Sequence, residues 1–264
     1  MSANARPTLH LDGLSVPRGG RLVVQEVSFD ILPGEVTALL GPNGAGKSSL
    51  VLAIAGVLRP AAGTVKLGDD DLTRRRPEQI RGAGLAVVPE GRRLLPDLTV
   101  EENLKVATYS LAHGEARSGI AYALELFPEL EKRWTIQTRS LSGGEQQMVV
   151  LAQALVSHPK VVVVDELSLG LAPVVVKRLV PALESVAAAG VGVLLIEQFA
   201  HVALGLAKSA YVLEGGRIRY RGTAQELKDN PELLHSAYLL RGQAPGGPVG
   251  STASRYAPCT WHRL

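Results

Sequence analysis

The fold of this chain is decided by the stretch Gly41-Pro42-Asn43-Gly44-Ala45-Gly46-Lys47-Ser48-Ser49, which has the spacing Gly-x-x-x-x-Gly-Lys-Ser. The apolar run at 36–40 before it predicts a buried strand, and residues 49–55 after it predict a helix. A glycine-rich loop between a strand and a helix can wrap a polyphosphate with its backbone N–H groups. In such a loop Lys47 would reach the β- and γ-phosphates and Ser48 would bind Mg²⁺. The sequence therefore predicts a nucleoside triphosphate site.

Composition limits the class of protein. The 264 residues are 46% apolar and 20% charged, which is ordinary for a soluble globular chain with a sizeable core. No apolar run approaches the ~18–20 residues needed to span a bilayer. The first residues lack the apolar core of a signal peptide, and the single cysteine, Cys259, leaves no internal disulfide. We expect a cytoplasmic protein.

The net charge of +3 comes from the end of the chain. Residues 241–264 hold three arginines and no acidic residue, so residues 1–240 carry 25 basic and 25 acidic side chains. A balanced body argues against nucleic acid as a partner. Residues 241–264 are rich in Gly, Pro, Ser and Ala, which predicts a disordered tail beyond a domain at 1–240. The alternative is a docking segment containing Tyr256, Trp261 and His262.

Short apolar runs alternate with helical patterns along the chain. Strands are predicted at 9–12, 22–31, 36–40, 64–67, 85–88, 161–164 and 191–196 and in a hairpin at 210–220; the charged run 69–77 is predicted to be exposed surface. A helical pattern at 99–136 interrupts this alternation and predicts a helical subdomain inserted at about 92–141. The fold class is therefore α/β, with a mostly parallel sheet and antiparallel strands at the N-terminus.

A pair of acids, Asp165 and Glu166, ends the apolar run 161–164. Ligands bind at the carboxyl ends of strands in open α/β sheets, so both carboxylates are expected beside the phosphates. Asp165 suits a direct or indirect Mg²⁺ partner, and Glu166 suits a base or a group that orients water. The alternative is that the two acids only end a strand and cap the next helix.

The third motif is Leu-Ser-Gly-Gly-Glu-Gln-Gln at 141–147. Ser142 and Glu145 have the spacing of a capping box at a helix start. Capping does not explain Gly143 and Gly144, because glycine costs up to ~1 kcal/mol relative to alanine within a helix. Two glycines in a first turn indicate a close backbone approach, for which an anionic ligand is the natural candidate.

The three motifs, in this order, resemble the ATP-binding cassette of ABC transporters, and the resemblance covers about residues 9–228. It implies a P-loop ATPase in which residues 41–49, including Pro42, Asn43 and Ala45, bind ATP. It also implies a head-to-tail dimer with two ATP molecules at its interface. Each ATP would lie on Lys47 and Ser48 of one subunit and face Ser142, Gly143 and Gly144 of the other, while Glu166 orients the attacking water.

Two shorter stretches point to one branch of this family. Residues 88–93 and 168–173, together with 196–198, resemble the ATPases of branched-chain amino acid importers. This resemblance implies membrane-spanning permease subunits, a second ATP-binding subunit, identical or paralogous, and indirectly a substrate-binding protein. The protein would lie on the cytoplasmic face of the cell membrane. Importers of urea, amides or other amino acids, a soluble non-transport ABC ATPase and a regulatory subunit with little turnover are the alternatives.

Three positions depart from the commonest family pattern. Glu90 stands where a glutamine usually meets Mg²⁺ and water, so we expect Ser48, Asp165 and Glu90 as metal ligands. Gln198 replaces the usual histidine and can hydrogen-bond the γ-phosphate without carrying positive charge. Arg18 stands where an aromatic side chain usually stacks on adenine; a guanidinium can also stack on a base, and an exposed loop residue is the alternative.

Overall fold

We describe the protein from a computed structural model, which covers residues 8–233. The predicted tail at 241–264 and the alternative docking segment within it lie outside the described residues. Within residues 8–233, no helix combines the length and the apolar character needed to cross a bilayer.

The strands of the described chain are β1 (Leu9–Arg18), β2 (Arg21–Ile31), β3 (Val36–Leu40), β4 (Ala62–Leu67), β5 (Asp70–Asp71), β6 (Leu85–Val88), β7 (Val161–Asp165), β8 (Gly192–Glu197), β9 (Ser209–Glu214) and β10 (Arg217–Thr223). The α-helices are α1 (Lys47–Ile54), α2 (Pro77–Ala83), α3 (Val100–Ala107), α4 (His113–Leu126), α5 (Gly143–Leu155), α6 (Pro173–Ala188), α7 (Ala200–Leu206) and α8 (Ala224–Asp229). Two 3₁₀ helices lie at Pro128–Arg133 and Thr138–Ser140.

Two sheets build the fold. The larger has the order β10-β9-β3-β8-β7-β6, in which the neighbours from β9 to β6 run parallel and β10 is antiparallel. The smaller has the order β2-β1-β4-β5 and is antiparallel throughout. The predicted fold class, with its parallel sheet and antiparallel N-terminal strands, is confirmed.

The core lies on both faces of the larger sheet, because successive side chains of a strand point to opposite faces. In β3, Ala38 and Leu40 join the cluster that contains α5, α6 and α7, whereas Leu39 joins the cluster beneath the smaller sheet and α1. The same alternation continues through β7, β8 and β9. Strands covered on both faces read as unbroken apolar runs, which is why the sequence revealed them.

The helical insert begins and ends at a narrow neck. Thr99 and Gln137 form an isolated antiparallel bridge, and the Val100 amide donates to the Ile136 carbonyl at 3.0 Å. The predicted capping box is present, since the Glu102 amide donates to the Thr99 hydroxyl and the Glu102 carboxylate accepts from the Thr99 amide. Apolar side chains of the insert pack against α5 in the cluster on that face of the sheet. The insert therefore shares its hydrophobic core with the main body.

Several element boundaries differ from the sequence prediction. β1 continues to Arg18, beyond the predicted strand at 9–12, so Pro17 lies in a strand and pairs with Leu22. Helix α1 begins at Lys47, two residues earlier than predicted, because left-handed Gly46 caps it. The exposed charged run 69–77 contains β5 and leads into α2, which the polar composition concealed.

Candidate active site

The order of the strands brings the candidate residues to one edge of the larger sheet. β3, β8, β7 and β6 are parallel neighbours, so their carboxyl ends lie side by side. The phosphate loop follows β3, Gln198 follows β8, Glu166 follows β7 and Glu90 lies two residues beyond β6. Residues scattered over 150 positions of the chain therefore meet by topology alone.

The phosphate loop is built from glycines that a larger residue could not replace. A Cβ at Gly41 would collide with the backbone oxygen of Leu213. Gly44 and Gly46 have φ values of 73° and 112°, which L-residues rarely adopt. Gly46 is the N-cap of α1, and a Cβ on Gly46 would lie 2.5 Å from the carbonyl oxygen of Val23. The first turn of α1 carries no acidic side chain, so its N–H groups remain available to an anion.

The Lys47 side chain is buried and turns back onto its own loop. Its ammonium donates to the Gly41 carbonyl at 2.8 Å and to the Pro42 carbonyl at 3.4 Å. Burial lowers the pKa of Lys47, against the opposing charges of Glu166 and Asp165. A triphosphate would offer this ammonium a charged acceptor in place of two carbonyl dipoles.

A cleft of about 470 Å³ opens in front of the loop. Its walls contain the following predicted site residues: Arg18, Asn43, Gly44, Gly46, Lys47, Ser48, Ser49, Glu90, Glu166 and Gln198. Pro42 and Ala45 do not line the cleft; the Ala45 amide donates to the Pro42 carbonyl at 3.1 Å and closes a turn within the loop. Val23 and Leu169 also line the cleft and were not predicted.

Three acidic side chains lie close together at the cleft: Glu90 and Glu166 line it, whereas Asp165 is buried and does not. Burial, followed by repulsion from Glu166 and Glu90, raises the pKa of Asp165 to about 7. Added positive charge would relieve this repulsion, and oxygen donors such as Ser48, Asp165 and Glu90 are the kind that Mg²⁺ prefers. Between residues 8 and 233, no group of three or more His, Cys, Asp or Glu side chains could by itself hold a metal ion. The residues thus fit a Mg²⁺ ion that takes its other ligands from phosphate and water.

Glu166 is held in an unusual backbone conformation. Its φ is 55°, in the left-handed region, and its amide donates to the Ile196 carbonyl of the neighbouring strand end at 2.9 Å. Non-glycine residues persist there only when the surrounding structure fixes them, and such residues cluster at functional sites. The neighbouring Leu167 is fully buried and anchors the turn.

Glu197 is a buried acid that the sequence reasoning did not single out. It lies at the end of β8 with 1% of its surface exposed, and it accepts hydrogen bonds from the Ser168 amide at 2.9 Å and the Ser168 hydroxyl at 2.8 Å. Burial raises the pKa of Glu197, and these hydrogen bonds oppose the shift. An acid at the end of an apolar run was the available signal, as it was for Asp165.

Arg18 lies on the cleft wall, at the end of β1. Its guanidinium donates to the Ser49 hydroxyl at 3.4 Å, and the residue is otherwise exposed. This position keeps the guanidinium beside the phosphate loop and free to meet a base. The exposure fits the interpretation as an exposed loop residue, and stacking on adenine stays a prediction.

The turn of the terminal hairpin supports the phosphate loop, which the sequence did not indicate. The Gly216 amide donates to the Ala45 carbonyl at 2.9 Å, and the Gly216 carbonyl accepts from the Gln25 amide at 2.7 Å. Gly216 has a φ of 81°, and a Cβ there would meet the Val23 carbonyl at 2.6 Å. The hairpin at 210–220 was predicted, but the contact of its turn with the phosphate loop depends on tertiary structure.

The glycine-rich start of α5 lies outside the cleft. The predicted capping box is present: the Glu145 carboxylate accepts from the Ser142 amide and hydroxyl, both at 2.8 Å. Burial raises the pKa of Glu145, but hydrogen bonds from Arg133 and Ser142 leave it lowered overall. A Cβ on Gly144 would meet Val175 at 2.5 Å, so that glycine has a packing reason.

Gly143 borders a cation instead. A Cβ there would lie 2.9 Å from Nη1 of Arg92, whose other terminal nitrogen donates weakly to the carbonyls of Leu169 and Gly170 at 3.4 and 3.5 Å. Arg92 has a φ of 44°. Positive charge beside a helix N-terminus is electrostatically unfavourable, and the Glu145 carboxylate in the first turn of α5 offsets part of this effect. Sequence reasoning missed Arg92, whose only signal was the stretch 88–93.

Comparison with known proteins agrees with this geometry. A family model described as "ABC transporter" matches residues 24–168. The high-affinity branched-chain amino acid transport ATP-binding protein BraG of Pseudomonas aeruginosa is 39% identical over 231 residues, which cover 88% of this chain and 99% of that protein. The probable branched-chain amino acid transport ATP-binding protein LivF of Archaeoglobus fulgidus is 35% identical over 215 residues, or 80% and 90% of the two chains.

A solved structure of an ATP binding subunit of an ABC transporter is also similar. It superimposes with a TM-score of 0.76 at 29% identity and covers 89% of this chain and 100% of that one.

Proposed function

This chain belongs to the ATP-binding family of ABC transporters, and from that premise we propose that it powers an importer of branched-chain amino acids. The family establishes that the chain is an ATPase. The observation that carries the proposal further is the meeting of Lys47, Glu166 and Gln198 at one cleft. This cleft supplies a phosphate-binding cation, a carboxylate and an amide on three neighbouring strand ends.

We assign the following roles to the cleft residues. The loop amides and Lys47 hold the β- and γ-phosphates, and the carboxylate of Glu166 accepts a hydrogen bond from the water that attacks the γ-phosphorus. Gln198 donates its amide to a γ-phosphate oxygen, and Arg18 stacks on or lies beside the adenine. The products are ADP and inorganic phosphate.

Ser48, Asp165 and Glu90 would hold Mg²⁺. When bound, this ion neutralises the charge of the β- and γ-phosphates. Glu90 adds a negative charge where the family commonly has an amide, and the acids near Asp165 already repel one another. We therefore expect bound Mg²⁺ to stabilise the ionised acids, and the acids to strengthen Mg²⁺ binding, more than in a site with glutamine at this position.

Ser142, Gly143 and Gly144 would bind the ATP held by another subunit, because they lie outside the cleft of their own chain. We therefore propose a head-to-tail pair of cassettes that closes on two ATP molecules. Its second member is a copy of this chain or a paralogue.

The cargo and the location follow from the relatives. BraG and LivF are described as branched-chain amino acid transport ATP-binding proteins, and the stretches at 88–93, 168–173 and 196–198 fit the same branch. The protein would act on the cytoplasmic face of the membrane with permease subunits and, through them, a substrate-binding protein. We assign the region 1–240 to the ATP-binding domain, with its helical insert at about 92–141.

The test is Glu166→Gln. We expect hydrolysis of Mg·ATP to fall by about 100-fold or more, since removing one preorganised group of this kind has effects of that size. ATP binding should persist, so an ATP-dependent dimer should accumulate in size-exclusion chromatography. The matched control is Glu184→Gln on the exposed side of α6, which should hydrolyse ATP normally. Normal turnover by Glu166→Gln would remove Glu166 from the mechanism.

A further inference from the structure

We propose that Glu197 is a positioning residue that fixes the turn carrying Glu166 and links it to Gln198 through Ser168. The inference rests on the proposed function, because it concerns the same reaction. Glu197 touches neither phosphate nor water in this scheme. It acts on the residues that do.

The two strand ends are already in register. Asp165 of β7 is level with Ile196 of β8, and the Glu166 amide donates to the Ile196 carbonyl at 2.9 Å. Glu166 and Glu197 therefore leave the sheet together, one on each strand. A contact between Glu197 and a residue just after Glu166 therefore helps to fix the distance from Glu166 to Gln198.

That contact is the pair of hydrogen bonds between Glu197 and Ser168. One carboxylate oxygen accepts from the Ser168 amide and the other from the Ser168 hydroxyl, at 2.9 and 2.8 Å. Hydrogen bonds to an ionised acceptor are roughly twice as strong as neutral ones. Two of them, made by one planar group to one residue, fix both the position and the orientation of Ser168.

The pair of Glu197–Ser168 hydrogen bonds, here called the clamp, holds Glu166 in its left-handed conformation. A residue with a φ of 55° stays there only if the chain on both sides is held. Asp165 in β7 holds the preceding side, while buried Leu167 and clamped Ser168 hold the following side. Without the clamp, the turn can relax and move the Glu166 carboxylate away from the attacking water.

Burying the Glu197 carboxylate costs desolvation free energy, which a side chain that only fills space would not incur. Glu197 is 1% exposed and lies among other acids, with Glu166 nearby. A neutral side chain would fill the same space without desolvating a charge. A carboxylate, however, offers two acceptor oxygens, one for the Ser168 amide and one for the Ser168 hydroxyl.

The experiment compares Ser168→Ala, Ser168→Thr, Glu197→Gln and the wild type in steady-state Mg·ATP hydrolysis, nucleotide binding and thermal unfolding. Ser168→Ala removes one hydrogen bond, and Glu197→Gln leaves a single acceptor oxygen for two donors. We expect kcat to fall by about 10-fold in both, because displacements of ~1 Å can cost up to about 100-fold. The dissociation constant for ATP should stay close to wild type, while Tm should fall by only a few degrees, because one buried hydrogen bond is lost.

Ser168→Thr is the rescue variant, because it keeps the hydroxyl and its added methyl can enter the groove between α6 and α7 that Ser168 lines. It should restore most of kcat. The double variant Ser168→Ala with Glu197→Gln should have a kcat only slightly below that of the less active single variant, since both substitutions act through one contact.

Wild-type kcat in Ser168→Ala and Glu197→Gln would overturn the clamp, as would loss of kcat in proportion to loss of Tm. Should Glu197→Gln unfold, Ser168→Ala decides the outcome, since it removes a single hydroxyl. Glu166→Gln, measured alongside, separates the two hypotheses. If it hydrolyses ATP normally, the role proposed for Glu166 fails and the clamp fails with it, whereas if it is inactive and the clamp variants are normal, only the clamp fails.

Discussion

The phosphate loop and the start of α5 are both glycine-rich helix N-termini, yet they are supported in different ways. The phosphate loop is enclosed by backbone: the Leu213 carbonyl closes on Gly41, and the Gly216 amide bonds to Ala45. The start of α5 is exposed at Ser142 and is bordered at Gly143 by the flexible end of Arg92. One terminus is preformed, and the other depends on a side chain that can move.

This difference indicates how labour is divided in the dimer. A loop fixed by backbone contacts can bind nucleotide within a single chain, because its N–H groups are already oriented. A terminus that faces solvent beside a cation gains its full set of contacts only when a partner brings an anion. In the proposed dimer, the first would bind the chain's own ATP and the second the ATP of its partner.

The largest expected effect comes from inactivating the two termini in separate subunits. We expect Lys47→Ala and Ser142→Arg each to reduce hydrolysis by about 100-fold or more, the first by losing nucleotide contacts and the second by blocking the partner's site. Mixing equal amounts should restore activity, to at most about a quarter of wild type if subunits exchange at random in a two-fold dimer. The ATPase rate of the mixture is the measurement.

The control for this mixture is Ser140→Arg, at an exposed serine two residues before Ser142, which should remain active alone. Mixtures that stay inactive although mixed dimers form, as judged by affinity-tag capture, would contradict the division between two chains.

The next effect compares the stability of the two termini. We expect Gly41→Ala to cost about 1–3 kcal/mol in the free energy of unfolding, because the new methyl meets the rigid backbone oxygen of Leu213. Gly143→Ala should cost less than about 0.5 kcal/mol, since Arg92 can swing aside. Urea denaturation of both variants without nucleotide measures this. Equal losses would mean that both termini are equally rigid.

The smallest effect concerns the acids of the cleft and depends on pH. The pKa of Asp165 is about 7 in the folded protein and 3.8 ordinarily, so its contribution to stability is complete below about pH 4 and is lost as pH rises to about 7. Asp165→Asn removes this penalty. Without Mg²⁺ or nucleotide, its stability relative to wild type should rise by about 2 kcal/mol between pH 5 and pH 8.

Chemical denaturation at these two pH values provides the check, with Asp69→Asn on the exposed surface as the control. A difference that does not vary with pH would show that Asp165 is already ionised in the free cleft.

The two regions also differ in how much of them the sequence reveals. The parallel strands and the phosphate loop could be predicted, because burial on both faces leaves unbroken apolar runs and the loop requires glycine at fixed spacing. The capping boxes at Thr99 and Ser142 are local and were equally visible. The contacts of Gly216 with Ala45, of Arg92 with the loop at 169–170 and of Glu197 with Ser168 were not. Each joins residues that become neighbours only when strands from distant parts of the chain pair.

The neck at Thr99 and Gln137 has a consequence for how this fold can vary. The chain leaves and re-enters the main body at two residues that face each other across one strand spacing, about 5 Å. Because the entropy of closing a loop grows only slowly with its length, the parts of the insert outside the shared hydrophobic core can lengthen or shorten at little entropic cost. The neck thus fixes where the insert joins the main body, so the outer parts of the insert can vary while the strands of the ATP-binding body stay in register.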